Sequence, residues 1–209
     1  MQTTPAIVVL GAGAGSRYRG PRHKLSEPVT GVPVLALTLR NAIATGMPVV
    51  AVVTPAILQA VPSIADMLPA RDIIEIAPAS HTAMGMGDSI AAGVAGHARA
   101  SGWLVLPGDM PLVRPSSLVA VAAALDQLPI AYAQHRGRRG HPVGFGAEMF
   151  SELVHLRGDE GARRLLARYP TAAVELDDPG VLVDIDTVED LAALRARLGD
   201  IAPASVVTR

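Results

Sequence analysis

Two groups of charged residues in this sequence could hold and transfer a phosphorylated group. The first follows a glycine-rich stretch, VVLGAGAGSRYRGPRHKL, at residues 8–25. Its cations are Arg17, Arg19, Arg22, His23 and Lys24. Glycines allow backbone N–H groups to approach phosphate oxygens closely, and Arg and Lys neutralise their charge. Because a nucleoside triphosphate carries more charge than a dinucleotide, the density of cations favours a triphosphate as the ligand.

The second group consists of carboxylates. LVLPGDMPLV, at residues 104–113, presents Asp109 after a strand and a Pro-Gly bend, and VLVDIDTVEDLAAL, at 181–194, contains Asp184 and Asp186. Phosphate-bound Mg²⁺ commonly uses one or two protein carboxylates, so these segments predict a magnesium site. A structural turn is the alternative for Asp109. Helix capping accounts for three further residues of the second segment, Thr187, Glu189 and Asp190.

Other interpretations of the glycine loop fit less well. A Rossmann dinucleotide loop would use Gly11 and Gly13, but Ser16 occupies the third glycine position, and the second predicted strand ends in Thr54 rather than in an acid. A P-loop is excluded because the sequence contains no Gly-Lys-Ser or Gly-Lys-Thr triplet. A glycine-rich turn with solvated cations is the structural alternative.

Apolar runs of strand length alternate with helical patterns and predict an α/β fold. The spacing predicts strands at 6–10, 48–54, 72–77, 102–111 and 130–134, and helices at 32–46, 87–100 and 115–128. Later segments predict a short strand in HPVGFG, helices in EMFSELVHL, EGARRLLARY and TVEDLAALRARLG, and strands in AAVEL and VLVDID. This order favours a Rossmann-like three-layer α/β/α arrangement with a mostly parallel sheet. Ligands of such sheets bind at the carboxyl ends of strands, so the loops at 11–24 and 107–111 should form the functional edge.

Three more loops contain candidate binding residues. HTAMGMGDSI, at 81–90, opens a helix with Asp88 or Ser89 as its N-cap, and a helix N-terminus attracts anions. QHRGRRGHPVGF, at 134–145, contains cations that could attract an anionic acceptor: Arg136, Arg138 and Arg139. The third loop, LRGDEGARRLL at 156–166, contains Asp159 and Glu160, for which capping of a helix that starts near Gly161 is the structural alternative.

The first loop resembles the signature L-A-A-G-x-G-x-R-x-G-x-x-K-L of the nucleotidyltransferases that modify the molybdenum cofactor, the molybdopterin guanylyl- and cytidylyltransferases. Further motifs that resemble this family follow in the family's order, so the resemblance extends from residue 6 to about 196. It implies a fold like that of nucleotide-diphospho-sugar transferases. It also implies nucleotide contacts from Leu10, Gly11, Ala12, Gly13, Gly15, Ser16, Arg17, Lys24, Gly85, Gly87, Ser89 and Gly108.

The same resemblance assigns roles to the carboxylates and to the acceptor side. GDMP resembles the family motif whose aspartate binds magnesium, here Asp109, and DIDTVEDL resembles DIDTPEDL, which favours Asp186 over Asp184 as the second ligand. The segments GHPVGF and GDEGAR resemble family motifs that border the acceptor. The acceptor residues implied are His141, Arg139 and Asp159. A metal-ligand role is not expected for the histidine, which has no partner histidine at ligand spacing.

The resemblance therefore predicts Mg²⁺-dependent transfer of a nucleotidyl group from a nucleoside triphosphate to molybdopterin, with release of pyrophosphate. Lys24, Arg17 and Asp109 would be the catalytic residues. CTP is favoured over GTP because GHP and GDEG segments occur mostly in cytidylyl-type members. One alternative is a non-catalytic protein that delivers the cofactor to a molybdenum hydroxylase or its chaperone. Retention of Lys24, Asp109 and Asp186 argues against it, and the missing Rossmann acid argues against an NAD-dependent oxidoreductase.

Composition limits the remaining possibilities. The net charge of −1 provides no general attraction to nucleic acid or to anionic membranes, and the absence of cysteine excludes disulfides and thiolate metal sites. No signal peptide and no apolar stretch of roughly 18 residues is evident, so we expect a cytoplasmic protein. The chain length of 209 residues predicts a single domain over residues 1–209, with a loose tail at about 200–209. The oligomeric state is left open.

Overall fold

A computed structural model describes residues 4–77, 85–159 and 161–199. The strands within these ranges are β1 (Ala6–Gly11), β2 (Pro28–Val29), β3 (Val32–Pro33), β4 (Val49–Val53), β5 (Ile73–Glu75), β6 (Gly102–Pro107), β7 (Ile130–His135), β8 (Arg138–Gly146) and β9 (Thr171–Glu175). The α-helices are α1 (Val34–Ile43), α2 (Pro55–Ala60), α3 (Ile64–Met67), α4 (Met86–Gly96), α5 (Pro115–Ala124), α6 (Phe150–Val154), α7 (Arg163–Arg168) and α8 (Val188–Gly199). None of these helices is long and apolar enough to cross a membrane.

A seven-stranded sheet organises the fold, in the order β5-β4-β1-β6-β8-β7-β9. Strands β5, β4, β1 and β6 run parallel to one another, and β9 is parallel to β7. Strand β8 runs antiparallel to both β6 and β7. The predicted α/β class with a mostly parallel sheet is therefore confirmed. A separate hairpin of β2 and β3, which the sequence analysis did not predict, precedes α1.

Helices cover both faces of the sheet, which explains why the central strands are apolar throughout. On one face, Ile7 and Val9 of β1 pack in a core cluster that includes residues of α1, α5 and α8. On the other face, Ala6 and Val8 pack in a cluster that includes residues of α4, α6 and α7. Alternate residues of one strand thus enter two different cores, as the two-residue period of a β-strand requires.

Strand β8 is longer than the predicted short strand and forms a hairpin with β7. The two residues of the turn, Arg136 and Gly137, both have positive φ, at 50° and 74°. Such turns match the twist of the strands that they join. The hairpin brings the basic segment that begins at Arg138 back toward the edge of the sheet where β1 and β6 end.

Two other predictions were wrong. The segment 181–186 is not a strand: a 3-10 helix spans Pro179–Leu182, and beyond it the backbone N–H of Ile185 bonds to Asp109 O, outside any ladder. Neither Asp88 nor Ser89 is the N-cap of α4, because the helix begins at Met86 and Gly85 is the cap. Asp88 lies in the first turn of the helix, and its side chain accepts a hydrogen bond from the backbone N–H of Gly85.

Several predicted features lie outside the described residues. They are the first part of the Met-Gly loop at 81–84, Glu160 and the tail at 200–209. The description of the chain as one domain stays a prediction. Asp159 does not cap helix α7. The helix begins at Arg163, its N-cap is Ala162, and no side chain among the described residues caps it.

Candidate active site

The carboxyl ends of β1 and β6 lie side by side, and a cleft of about 670 Å³ opens at this edge. The loop after β1 and the loop after β6 both line it, as the sequence analysis predicted. The neighbouring order of the two strands is the reason, since parallel strands deliver their following loops to the same edge of a sheet.

A cluster of two cations and two carboxylates lies in this cleft. Lys24 Nζ is 2.6 Å from Asp109 Oδ2 and 3.0 Å from Asp186 Oδ1. Arg17 donates a hydrogen bond from Nη1 to the other oxygen of Asp186. The structure therefore brings together the four charged groups that the sequence analysis selected from three distant segments.

Helix α1 and strand β1 hold Asp109 in place. The Thr38 hydroxyl, which is buried, donates to Gly108 O at 2.8 Å, and the Asn41 amide donates to Pro111 O at 2.9 Å. The backbone N–H of Gly108 donates to Leu10 O at 2.8 Å. Three anchors thus fix the backbone on both sides of the carboxylate.

Asp186 is held through the start of α8. Asp190 Oδ2 accepts the backbone N–H groups of Asp186 and Thr187 at 3.1 and 2.8 Å, and Thr187 Oγ1 accepts the backbone N–H of Asp190 at 3.1 Å. The hydrogen bond from the Thr187 hydroxyl is the main cause that lowers the pKa of Asp190. The predicted cap is confirmed, and Ile185 N donates to Asp109 O at 3.1 Å beside it.

Lys24 remains a cation in this position. Burial by itself lowers the pKa of its ammonium group, but attraction to Asp109 and hydrogen bonds to Asp109 and Asp186 outweigh burial and raise it above its usual value. The ammonium group can therefore stabilise negative charge, and it does not provide a neutral amine for proton abstraction.

The carboxylate pair fits a phosphate-bound divalent metal ion. Asp109 Oδ1 is buried and has no hydrogen-bond partner among the described residues, so it has a lone pair to offer. No cluster of three or more His, Cys, Asp or Glu with metal-binding geometry occurs in the part of the chain that the structure describes. Two carboxylates suit Mg²⁺, which completes an octahedron with water and phosphate oxygens.

Most residues predicted to contact the nucleotide line the cleft: Leu10, Ala12, Gly13, Gly15, Ser16, Arg17, Lys24, Gly85 and Ser89. Gly15 has a φ of +60°, which favours glycine. The other three predicted glycines do not line the cleft, and each packs closely against other segments of the protein: Gly11, Gly87 and Gly108. These glycines allow close packing that supports the loops.

A second cavity, of about 700 Å³, adjoins the glycine loop on the side of β4 and α2. Its walls are mainly apolar and include Thr54, Ala56 and Ile57 in addition to Ala12 and Gly13. His23 also lines it, and its Nε2 lies 3.0 Å from Gly13 O. Burial lowers the pKa of His23, which favours the neutral ring.

The residues predicted to bind the acceptor line the same cleft as the glycine loop. Arg139 and His141 of β8 line it together with Asp159, as do Arg138 and Asp184. The Arg139 guanidinium lies 4.3 Å above the centre of the Tyr132 ring, a cation–π contact that orients it. His141 Nδ1 is buried without a partner among the described residues, and burial lowers the pKa of the ring.

A family model for the MobA-like NTP transferase domain matches residues 7–174. The chain belongs to this family of nucleotidyltransferases. It is 28% identical to the purine catabolism protein PucB of Bacillus subtilis, over 92% of this chain and 97% of PucB. It is 27% identical to a probable molybdenum cofactor guanylyltransferase of Trichormus variabilis, over 100% of this chain and 99% of that protein.

Solved structures share the fold of this chain. The MobA-like chain superimposes on Rv0371c from Mycobacterium tuberculosis with a TM-score of 0.78 and 28% identity, over 93% of this chain and 99% of that chain. A second structure of Rv0371c, in complex with manganese, matches with a TM-score of 0.72 and 25% identity over the same shares. A relative of the MobA-like chain therefore binds a divalent metal ion.

Sequence reasoning did not select several residues that line the two cavities of this MobA-like chain. Thr54, Ala56 and Ile57 were not selected because they reach the glycine loop only through the pairing of β4 with β1, which no local sequence pattern predicts. Met86, which is exposed at the start of α4, also lines the cleft. Met86 could have been selected from the sequence, because it lies between Gly85 and Gly87, which were both selected.

Proposed function

We propose that this protein catalyses Mg²⁺-dependent transfer of a nucleotidyl group from a nucleoside triphosphate to molybdopterin, with release of pyrophosphate. The observation that carries the proposal is the contact of Lys24 with both Asp109 and Asp186 beside the glycine loop. In this arrangement the glycine loop, the carboxylates of Asp109 and Asp186 and the basic residues of β8 line one cleft.

The triphosphate would bind along the loop from Ala12 to Arg17, where backbone N–H groups can donate to phosphate oxygens. The base would occupy the adjoining cavity beside Thr54, because this cavity shares Ala12 and Gly13 with the cleft. Its mainly apolar walls suit a flat heterocycle. The α-phosphate would then lie near Lys24 and the carboxylates.

Catalysis would consist of positioning and charge stabilisation, as is general in phosphoryl transfer. The terminal phosphate of the acceptor attacks the α-phosphorus in line, and the bond to pyrophosphate breaks. Arg17 and Lys24 stabilise charge on the leaving and transferring groups. Mg²⁺ held by Asp109 and Asp186 would supply Lewis-acid polarisation of the phosphate oxygens. No covalent intermediate on the protein is needed.

The acceptor would bind against β8 and the loop at Asp159. Arg138 and Arg139 supply positive charge for its phosphate, and Arg139 is oriented by Tyr132. His141 offers a free Nδ1 on the same wall, so it could hydrogen-bond either the acceptor phosphate or its pterin. This wall faces the Asp109 side of the cleft, where the attacked phosphorus would lie.

CTP is the proposed donor because the GHP segment at His141 and the GDEG segment at Asp159 resemble those of cytidylyl-type enzymes. GTP is the second candidate, since a relative of full length is described as a guanylyltransferase. Both nucleotides carry the triphosphate that the glycine loop suits, so this loop does not distinguish between them.

The test measures pyrophosphate released from CTP and from GTP with Mg²⁺ and molybdopterin. We expect turnover with CTP, and we expect Asp109→Ala to lower it by at least about 100-fold, since it removes a metal ligand. Arg19→Met is the matched control, because Arg19 is an exposed cation of the same loop outside the cleft. Cofactor binding without pyrophosphate release would favour a delivery protein for a molybdenum hydroxylase, and oxidation of NADH would favour the oxidoreductase.

A further inference from the structure

Asp88 joins two loops that the sequence analysis assigned to different substrates, the nucleotide and the acceptor. The side chain lies in the first turn of α4, and its Oδ2 accepts the backbone N–H of Gly85 at 3.0 Å. The same oxygen accepts the backbone N–H of Gly158, 70 residues away, at 3.1 Å. One carboxylate oxygen therefore holds the start of α4 on the nucleotide side and the Arg157–Asp159 loop on the acceptor side.

The backbones of the two loops are also in direct contact. The backbone N–H of Gly87 donates to Gly158 O at 2.8 Å, so the loops exchange a second hydrogen bond. A Cβ on Gly85 would overlap the backbone of Gly158, and a Cβ on Gly87 would lie 2.9 Å from the backbone of Arg157. The glycines permit an approach that no other residue would allow.

The Arg157–Asp159 loop meets helix α4 at this junction. Gly158 is in a left-handed conformation with a φ of +68°, and Asp159 beside it is exposed in the cleft. The guanidinium of Arg157 bonds to carbonyls of its own segment, Val154 and Leu156, and lies 3.9 Å from Asp88 Oδ1. Helix α4, by contrast, is held by a core that contains Ile90 and Val94.

We propose that Asp88 is a positioning residue that fixes the acceptor loop at Asp159 against helix α4. This inference rests on the proposed function for its effect on the acceptor. A carboxylate oxygen has two lone pairs and accepts both N–H groups, so a single side chain can hold two segments. Asp88 itself does not line the cleft, so it acts through the loop that it holds.

The test compares Asp88→Ala with wild type in three measurements: amide exchange at Gly158 in the free protein, CTP affinity without acceptor, and the KM for molybdopterin. We expect Asp88→Ala to speed exchange and raise the KM roughly tenfold each, because the loop loses its anchor. CTP affinity should change less than about threefold, since the core still holds α4.

Asp88→Asn retains an oxygen that can accept both bonds, and we expect it to restore exchange and KM to within about threefold of wild type. Asp72→Ala is the matched control, because Asp72 contacts His97 at the opposite end of α4. Should Asp88→Ala fail to fold, Asp88→Ser keeps a polar side chain in the first turn of α4 but is too short to bond both loops, and it should show the same acceptor defect.

An unchanged KM and unchanged exchange in Asp88→Ala would overturn the inference, as would an equal rise in KM in Asp72→Ala. If the wild-type protein transfers no nucleotide to molybdopterin, the proposed function fails. The exchange comparison, which needs no substrate, would then still decide whether Asp88 holds the loop.

Discussion

Lys24 Nζ lies 2.6 Å from Asp109 Oδ2, although 85 residues separate them in the chain. Both side chains are mostly buried, at 11% and 14% exposure. Burial of two charges carries a desolvation penalty, which their attraction offsets only where the geometry is good and further hydrogen bonds satisfy both groups. Because Asp186 completes the contact, one ammonium group holds the two carboxylates that we propose as metal ligands.

Lys24→Met tests whether the ammonium group and a metal ion share these carboxylates. We expect Mn²⁺ affinity in the absence of nucleotide to rise roughly tenfold, because the carboxylates lose a competing cation. Transfer activity should still fall by about 100-fold, because charge on the transferring phosphate loses its partner. Mn²⁺ titration by electron paramagnetic resonance measures the first effect. Unchanged affinity, or an equal change in Arg19→Met, would contradict the prediction.

Thr38→Val tests the support behind Asp109. The substitution keeps the shape of a buried side chain but removes the donor to Gly108 O, so we expect a loss of about 2 kcal/mol in the free energy of unfolding. Mn²⁺ affinity should fall several-fold as the Asp109 backbone shifts. Urea denaturation and metal titration measure these effects. Thr38→Ser retains the hydroxyl, and a metal affinity as low as that of Thr38→Val would argue against the hydrogen bond.

Arg195 and Glu27 form a salt bridge, and we expect the loss of Arg195 to leave a buried carboxylate without its counter-charge. Arg195 of α8 donates to Glu27 Oε2 at 3.1 Å and to Pro28 O at 2.9 and 3.0 Å, and Glu27 is buried with Oε1 unpartnered among the described residues. Arg195→Met should cost about 2 kcal/mol of unfolding free energy, because a buried carboxylate loses its counter-charge.

The double variant Glu27→Met with Arg195→Met should be more stable than Arg195→Met alone, because no charge is then left buried. Urea denaturation of both single variants and the double variant gives the coupling energy. Additive losses would show that the carboxylate tolerates the loss of Arg195.

Glu175 provides a stability prediction that depends on pH. Hydrogen bonds from the Gln134 side chain and from the backbone of Arg136 and Gly137 lower its pKa below the usual 4.5. A carboxyl group with a lowered folded pKa contributes its full stabilisation above about pH 4.5, and this contribution is lost as the pH falls below 4.5 and through the lowered pKa of the folded state. The stability advantage of wild type over Glu175→Gln should therefore shrink below about pH 4.5. Urea denaturation at several pH values measures it, and a constant difference would contradict the cause given.

The sequence by itself determined much of the fold because its local signals agree. Continuous apolar runs bounded by glycine predicted the central strands, and Thr187 with Asp190 predicted the cap of α8. Only the segment at 181–186 was assigned the wrong element among the predicted strands that the structure describes. Its apolar residues pack beside β8, and Gly140 lies so close to Val181 O that a Cβ there would overlap it.

Part of the candidate site could be predicted from the sequence, and part depends on the tertiary structure. Residue types and motif order selected Arg17, Lys24, Asp109 and Asp186, because charge and glycine content are properties of the sequence. The tertiary structure alone decided that β4 and β6 flank β1, which places Thr54 beside the glycine loop. It also decided that Asp88 reaches Gly158. Contacts between residues far apart in the chain depend on strand order and packing, and no local pattern encodes them.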